Sequence, residues 1–252
     1  MKVAVVTPYY RESPATLRRC IDSVRAQTHA HVQHYLVADG HPQPAVTQDY
    51  VGLSCINLPQ SHADFGSTPR AVGAMCALNE GADVLCFLDA DNLFESNHVA
   101  SVVAVYQQAS EAGQPLDAVF AYRHVFLPGH EHLRLKDFEE LRHVHVDTSC
   151  FTLARSAAFL WPAWGLIPKG LGPVCDRVIL ALIRQHRLRV AWTGLHTVLY
   201  ESNWSAHYRL AGLPLPATGL HDHTMRNVAR DFSEEELFAH LRIKLRLRPR
   251  RI

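Results

Sequence analysis

The sequence predicts an α/β protein: a mostly parallel, open sheet flanked by helices, followed by a less regular second half. Three observations lead there. Short apolar runs alternate with helix-spaced runs through residues 1–125, which is the pattern of strand–helix–strand crossovers. The apolar runs are continuous rather than alternating, as in strands covered on both faces. No internal repeat or low-complexity linker interrupts them.

The elements follow in order. Val3-Ala-Val-Val-Thr7 reads as a buried first strand, stopped by Pro8. Ser13-Pro14 supplies a helix cap and a proline at the first helical position, and Leu17, Cys20, Ile21 and Val24 recur at helical spacing. His34 to Ala38 is a second strand, ended by Asp39-Gly40, and Val51 to Leu58 a third. Thr68-Pro69 opens a helix with Val72, Met75, Cys76 and Leu78 on its apolar side. Asp83 to Leu88 is the clearest strand, running directly into Asp89-Ala-Asp-Asn92. Val99 to Gln108 reads as helix and Ala118 to Tyr122 as strand.

The second half is less patterned. His124 to His143 reads as a polar loop with a short helix, Thr148 to Ala154 as a strand, and Trp161-Pro-Ala-Trp-Gly165 as an aromatic turn. Pro173 to His186 is helical, with Val174, Val178, Ile179 and Leu182 as apolar positions; Leu188 to Tyr200 is strand-like. Pro214, Pro216 and Gly219 mark a loop, and Ser233-Glu-Glu-Glu236 is a capping box for a final helix. The expected organisation is one domain over 1–232, split into halves at 1–125 and 126–232, with a helix and basic tail over 233–252.

Composition narrows the class. The chain has 252 residues, 48% hydrophobic and 19% charged, ordinary for a globular protein and against disorder. With 25 Lys+Arg against 24 Asp+Glu the net charge is +1, so no nucleic-acid partner is expected. No apolar run reaches the ~18 residues needed to span a bilayer, and the start does not read as a signal peptide. The six cysteines form no CxxC pair and read as reduced thiols in a cytoplasmic protein.

Asp89-Ala90-Asp91 carries the chemistry. Two acids, two apart, stand where a buried strand leaves the sheet, the edge at which open α/β sheets bind ligands. Two carboxylates there can hold a hard divalent cation that also bridges phosphate oxygens. Ending an apolar strand in two acids has a desolvation cost unless something pairs them.

These pieces together resemble a GT-A nucleotide-sugar glycosyltransferase of the family-2 type, whose sheet is Rossmann-like. Val5-Val-Thr-Pro-Tyr9 with Glu12 and Leu17 to Val24 is similar to that family's first strand and helix. Val37-Ala-Asp-Gly40 resembles its second-strand acidic turn; Gly66-Ser-Thr-Pro-Arg70 with Gly73, Ala77 and Gly81 resembles the helix before the metal motif; Phe87-Leu-Asp-Ala-Asp-Asn92 resembles the metal motif. The resemblance covers residues 3–100 well and 145–210 loosely.

It implies roles. Thr7, Pro8 and Tyr9 would line the base pocket, and Asp39 would accept a hydrogen bond from the base, most often uracil. Arg70 would face the donor phosphates or hold the pocket acids, joined by Asp64. Asp89 would touch the donor ribose or sugar, and Asp91 would ligate Mn2+ or Mg2+. Asp147-Thr148-Ser149 would line donor sugar and acceptor, and Trp164, with Trp161, would stack on an acceptor sugar or belong to the core. Asp176, at a helix start where its negative charge also suits the helix dipole, would be the catalytic base. His207 would be the second metal ligand, with His221 and His223 as competitors; seventeen histidines make any single pick open. The family's usual acid is replaced by Ala38, its frequent Asn by Arg11, and the acid before its base by Cys175.

The implied activity is a metal-dependent, inverting transfer, of the hexosyltransferase type. It would move sugar from a UDP-sugar to a saccharide or lipid-linked acceptor in polysaccharide biosynthesis. The alternatives are a metal-dependent hydrolase or phosphodiesterase, and a non-catalytic nucleotide-sugar-binding protein. Leu241 to Ile252 carries six basic residues and no acid; it reads as a solvated tail or as a contact to anionic lipid at the inner face of the membrane. Oligomeric state is left open. A dehydrogenase or P-loop enzyme is disfavoured, because neither a GxGxxG after a strand nor a GK[ST] occurs.

Overall fold

The computed structural model describes residues 1–136 and 145–215, and every structural statement below concerns these. Strand β1 (Val3–Tyr9) is buried along its whole length. Helix α1 (Pro14–Arg25) starts as expected: Ser13 Oγ accepts the Thr16 N–H at 3.1 Å, Pro14 opens the helix, and Leu17, Cys20, Ile21 and Val24 are buried. Fully burying side chains such as Leu17 and Ile21 contributes about 1.5–3 kcal/mol each. β2 (Val32–Ala38), a one-turn α2 (Pro44–Thr47) and β3 (Ser54–Asn57) follow.

Helix α3 (Ser67–Asn79) packs unusually close to β1. A Cβ on Gly73 would lie 2.6 Å from Val6 Cγ1, so only glycine lets helix and sheet meet there. β4 (Val84–Phe87) is buried throughout. After it come a short β5 (Leu93–Phe94), α4 (His98–Glu111), a long β6 (Ala118–Leu127) and β7 (His130–Lys136). The second half holds β8 (Phe151–Ala154), a run of 3-10 turns, α5 (Cys175–Gln185), β9 (Val190–Glu201) and a short α6 (Ser205–Leu210).

The strands form one sheet ordered β3-β2-β1-β4-β8-β6-β9-β5, with β7 on β6. From β3 to β4 neighbours are parallel. At β8 the direction reverses: β8 lies antiparallel to both β4 and β6, while β6 and β9 are parallel. The α/β class is as the sequence implied, and the antiparallel strands enter with the less patterned half.

Several details differ from the sequence reading: on α3 the buried side is Ser67, Pro69, Arg70, Gly73, Ala74 and Ala77 rather than Val72, Met75, Cys76 and Leu78, and Met75 is exposed. Residues 124–136 are not a loop with a helix but the end of β6 and the hairpin partner β7; their His- and charge-rich residues alternate as on a strand with one exposed face. Residues 148–150 form a 3-10 turn rather than the start of β8. The expected loop at Pro216–Gly219, the capping box at 233–236, the basic tail, His221 and His223 lie outside the described residues. No helix among the described residues is long and apolar enough to cross a membrane.

Trp164 is a correction. It is fully buried, its ring 4.1 Å from that of Phe87 and 6.2 Å from Phe151. Trp161 is equally buried and donates from Nε1 to the Ala154 carbonyl at 3.2 Å. Both rings fill the space behind β4 and β8, where burying an indole contributes more than exposing it, so neither offers a face to a sugar.

Candidate functional site

β1, β2 and β4 run parallel, so their C-terminal ends lie along one edge of the sheet. Thr7, Pro8 and Tyr9 stand at the end of β1, but their side chains are buried. Thr7 Oγ1 lies 2.9 Å from His34 Nε2, and the Tyr9 hydroxyl accepts the Gln43 N–H at 3.1 Å. These residues are packed into the protein at the strand end rather than exposed on it.

Asp39, directly after β2, is buried and engaged. Its carboxylate accepts the backbone N–H of His62 at 2.8 Å and of Ala63 at 3.2 Å, and lies 3.0 Å from His62 Nδ1. Burial pushes its pKa up, but these donors, His62 first, outweigh it and hold the carboxyl below the usual range. The same loop carries two non-glycine residues in the left-handed region, Ala63 and Phe65, with φ of 50° and 58°. That backbone turns the Phe65 carbonyl onto Arg70 Nη1 at 2.8 Å. Asp64 accepts the N–H and hydroxyl of Thr68 at 2.9 and 2.5 Å, closing the start of α3.

Three ion pairs, buried to different degrees, lie near these strand ends. Arg70 pairs with Asp89. Arg123, on β6, pairs with Asp147 at 2.5 Å and lies 4.3 Å over the Tyr200 ring. His145 pairs with Asp176, at the start of α5, at 2.5 Å. Asp89 and Asp147 thus each have an arginine as partner, and Asp176 a histidine.

Asp91 differs. It makes no ion pair among the described residues, and Asp89, Glu201 and Glu12 face it with like charge. Its carboxyl is open to solvent yet set low among protein atoms, and desolvation first, then these acids, pushes it up to about 7. Nearby, Glu201 pairs with Arg19 at 2.5 Å.

Asn92 and Ser149 fix the acidic turn. Ser149 Oγ accepts the Asp89 N–H at 3.2 Å and the Asn92 side-chain amide at 3.0 Å. Asn92 Oδ1 accepts the Glu201 N–H at 3.0 Å. The end of β4 is thereby tied to the 148–150 turn and to the end of β9.

Of the residues singled out from the sequence, the structure brings Arg70 and Asp89 into one pair, and places Asp147 and Asp176 in charged pairs of their own. His207 lies on α6 with Nδ1 2.6 Å from Ser202 Oγ. No group of three or more His, Cys, Asp or Glu side chains is gathered for a metal among the described residues. The sequence reading missed Arg123, His145, Asn92 and Glu201. Arg123 carried a signal, since it is a charge inside the otherwise apolar run Ala118 to Leu127. His145 carried none, because HxH spacing recurs at 29/31, 130/132 and 143/145.

A parallel sheet edge, an acid-tipped central strand and paired arginines beside it match the GT-A fold class. Comparison with known proteins agrees. The family model described as glycosyl transferase family 2 matches residues 4–160, more than half of the chain. The chain belongs to that family and is a glycosyltransferase using a nucleotide-sugar donor. Crystal structures of Staphylococcus aureus TarS share the fold. TarS residues 1–349 with UDP is 14% identical, with 96% of this chain and 73% of that chain covered and a TM-score of 0.61. TarS residues 1–349 without a named ligand is 13% identical over the same shares, with a TM-score of 0.62. The longer TarS chain is 13% identical, also with a TM-score of 0.61; 96% of this chain but only 43% of that one is covered. No curated protein sequence matches the chain.

Proposed function

We propose that the chain transfers a sugar from a UDP-linked donor to a saccharide or lipid-linked hydroxyl, with inversion and with help from Mn2+ or Mg2+. The observation that carries this is the unequal treatment of the two motif acids. Asp89 is neutralised by Arg70, whereas Asp91 is left among like charges. A carboxylate pushed up to about 7 by its neighbours gains most from an arriving cation.

The donor set fits a hard cation in a particular way. Such ions commonly take one or two carboxylates and fill the remaining positions from substrate phosphates and water. A three-donor protein cage is therefore not required, and Asp91, with His207 as second ligand, would hold the ion. When bound, it would offset charge growing on the departing diphosphate. Arg70, through Asp89, fixes the acidic turn, and Asp39 and its strained loop bound the base end of the site. The acceptor hydroxyl would attack from the side of the His145–Asp176 pair, opposite the leaving diphosphate, which inverts the anomeric centre. UDP is favoured as the nucleotide because TarS structures hold UDP and UDP-GlcNAc.

A thermal-shift panel tests the reading. UDP, GDP and their sugars are added to the full chain with and without Mn2+. A nucleotide at a hundredfold excess over its dissociation constant stabilises by about 2.7 kcal/mol. The expected result is a raised midpoint with UDP that needs Mn2+ and is lost in Asp91→Asn. Equal stabilisation with and without Mn2+, or none from any nucleotide, would refute metal-assisted donor binding.

A further inference from the structure

We propose that the exposed ring of Phe65 is the platform on which the acceptor saccharide rests, with a C–H face of the sugar stacked on the phenyl. The inference rests on the glycosyltransferase reading above and deepens its acceptor side. It gives Phe65 the contact that the buried rings of Trp161 and Trp164 cannot make.

The chain first puts Phe65 on the right edge of the sheet. It belongs to the loop His62-Ala-Asp-Phe-Gly66, between β3 and α3. β3 is parallel to β2, and β2 and β4 are both parallel to β1. The loop therefore leaves the sheet at the same edge as Asp39 and the Asp89–Asp91 turn, where open α/β sheets bind ligands.

Three features then hold the ring in place. Phe65 has φ of 58°, in the left-handed region. That conformation is an outlier for a bulky residue, and such outliers cluster at functional sites. The Phe65 carbonyl accepts from Arg70 Nη1 at 2.8 Å, and Arg70 pairs with Asp89. The backbone bearing the ring is thus tied to the first motif acid. The ring itself lies against Gly172. A Cβ on Gly172 would come 2.4 Å from Phe65 Cδ2 and 3.0 Å from Cγ. Gly172 is not in the left-handed region, so its backbone does not ask for glycine; the ring takes the space. Gly172 stands on the turns Lys169–Val174 that lead into α5, four residues before Asp176. Phe65 spans from the support of Asp89 to the approach of α5, the side from which the hydroxyl attacks in the reading above.

The free protein gains little from this arrangement. Phe65 is 63% exposed, so its ring contributes little burial, and its backbone adds strain. A saccharide supplies what is missing. The faces of a pyranose carry C–H groups, whose partial positive charge suits the negative face of a phenyl ring. Covering the ring also removes apolar surface from water. A phenyl has no polar atom, so this contact fixes which face of the sugar lies on the protein and leaves its hydroxyls to other groups.

The test uses the full chain with UDP and Mn2+. The probes are methyl hexopyranosides, methyl N-acetylhexosaminides and their disaccharides. Saturation-transfer NMR, with phenylalanine ring protons irradiated, reports which sugar C–H groups touch a ring; the parent should label one pyranose face. Phe65→Asn removes the ring but keeps a residue that accepts the left-handed backbone. It should weaken saccharide affinity about five- to twentyfold, the scale of one lost aromatic contact, and Phe65→Tyr should keep the parent's affinity. Gly172→Ala, whose Cβ would push the ring aside, should weaken affinity by a similar factor in the parent and have no further effect in Phe65→Asn. Phe65→Asn should also melt no lower than the parent, because the ring adds strain rather than packing. A lower midpoint, equal affinity in parent and Phe65→Asn, or additive effects of the two substitutions would each overturn the inference. So would a parent that binds no probe, or a ring contact made only by the sugar of UDP-GlcNAc. UDP binding is read separately by thermal shift. Its absence refutes the donor reading, whereas UDP binding with no role for Phe65 refutes this inference alone.

Discussion

The two halves of the sheet build their polar sites by different means. On the parallel side, Asp39 and Asp64 are satisfied by backbone N–H groups: Asp39 by those of His62 and Ala63, and Asp64 by that of Thr68. On the antiparallel side, the acids pair with basic side chains instead. Arg123 reaches Asp147, 24 positions away, and His145 reaches Asp176, 31 positions away. The first kind of site is fixed by the backbone of the loop between β3 and α3. The second exists only after β6, β8 and α5 have packed. The polar groups of the antiparallel half therefore depend on side chains brought together from different elements, whereas Asp39 and Asp64 depend on the backbone of one loop.

Removing one acid from each side sharpens that contrast. The Arg123–Asp147 pair is almost closed to water, with side chains 6% and 9% exposed, whereas Asp89 beside Arg70 is 27% exposed. Breaking a buried pair by deleting one partner costs about 3–5 kcal/mol, because the remaining charge stays in a poor environment. Asp147→Ala should show a loss in that range by urea denaturation. Asp89→Ala should lose about half as much, since water can step in beside Arg70. Equal losses would show that the two halves do not differ in the way the burial suggests.

The seam between the halves comes next. Asn92 has no solvent exposure and bonds to Ser149 on one side and to the Glu201 backbone on the other. Asn92→Ala would leave the Glu201 N–H without its acceptor, at about 1–3 kcal/mol for an unsatisfied group, and take one of the two donors from Ser149 Oγ. The expected result is a loss of about 2–4 kcal/mol, together with weaker Mn2+-dependent UDP binding, because the turn bearing Asp89 and Asp91 loses its anchor. Full retention of UDP binding would mean that the parallel half positions the acids alone.

The same contrast explains what the sequence could reveal. Apolar spacing located β1, α1, β4 and α4 to within a few residues, and Ser13-Pro14 marked the start of α1 as its hydrogen bond requires. The acids at the ends of β2 and β4 were visible because a charge after an apolar run is locally conspicuous. The hairpin β6–β7 was not, since its outward residues are His, Glu, Arg and Lys, whose composition suggests a loop as readily as an exposed strand face. Trp164 was ambiguous for a related reason: one aromatic residue in a turn reads alike whether it faces solvent or Phe87. The partners His145 and Arg123 depend on separations of dozens of residues, for which no periodicity exists.

The smallest effect concerns Asp91 and has the opposite sign. An unfolded aspartate titrates near 3.9, while Asp91 in the folded chain is pushed up to about 7 by desolvation and by Asp89, Glu201 and Glu12. Between those values the folded state binds more protons than the unfolded one, so this group's contribution to stability falls as pH rises. Asp91→Asn removes the titration. Without metal, its thermal midpoint should therefore match the parent near pH 4 and exceed it by about one to three degrees at pH 8, an increment in the range of a relieved surface charge. With Mn2+ and UDP present the order should reverse, because only the carboxylate can use the cation. A parent protein that is already the more stable at pH 8 without metal would mean that Asp91 has a neutralising partner of its own, and the asymmetry between the two motif acids would disappear.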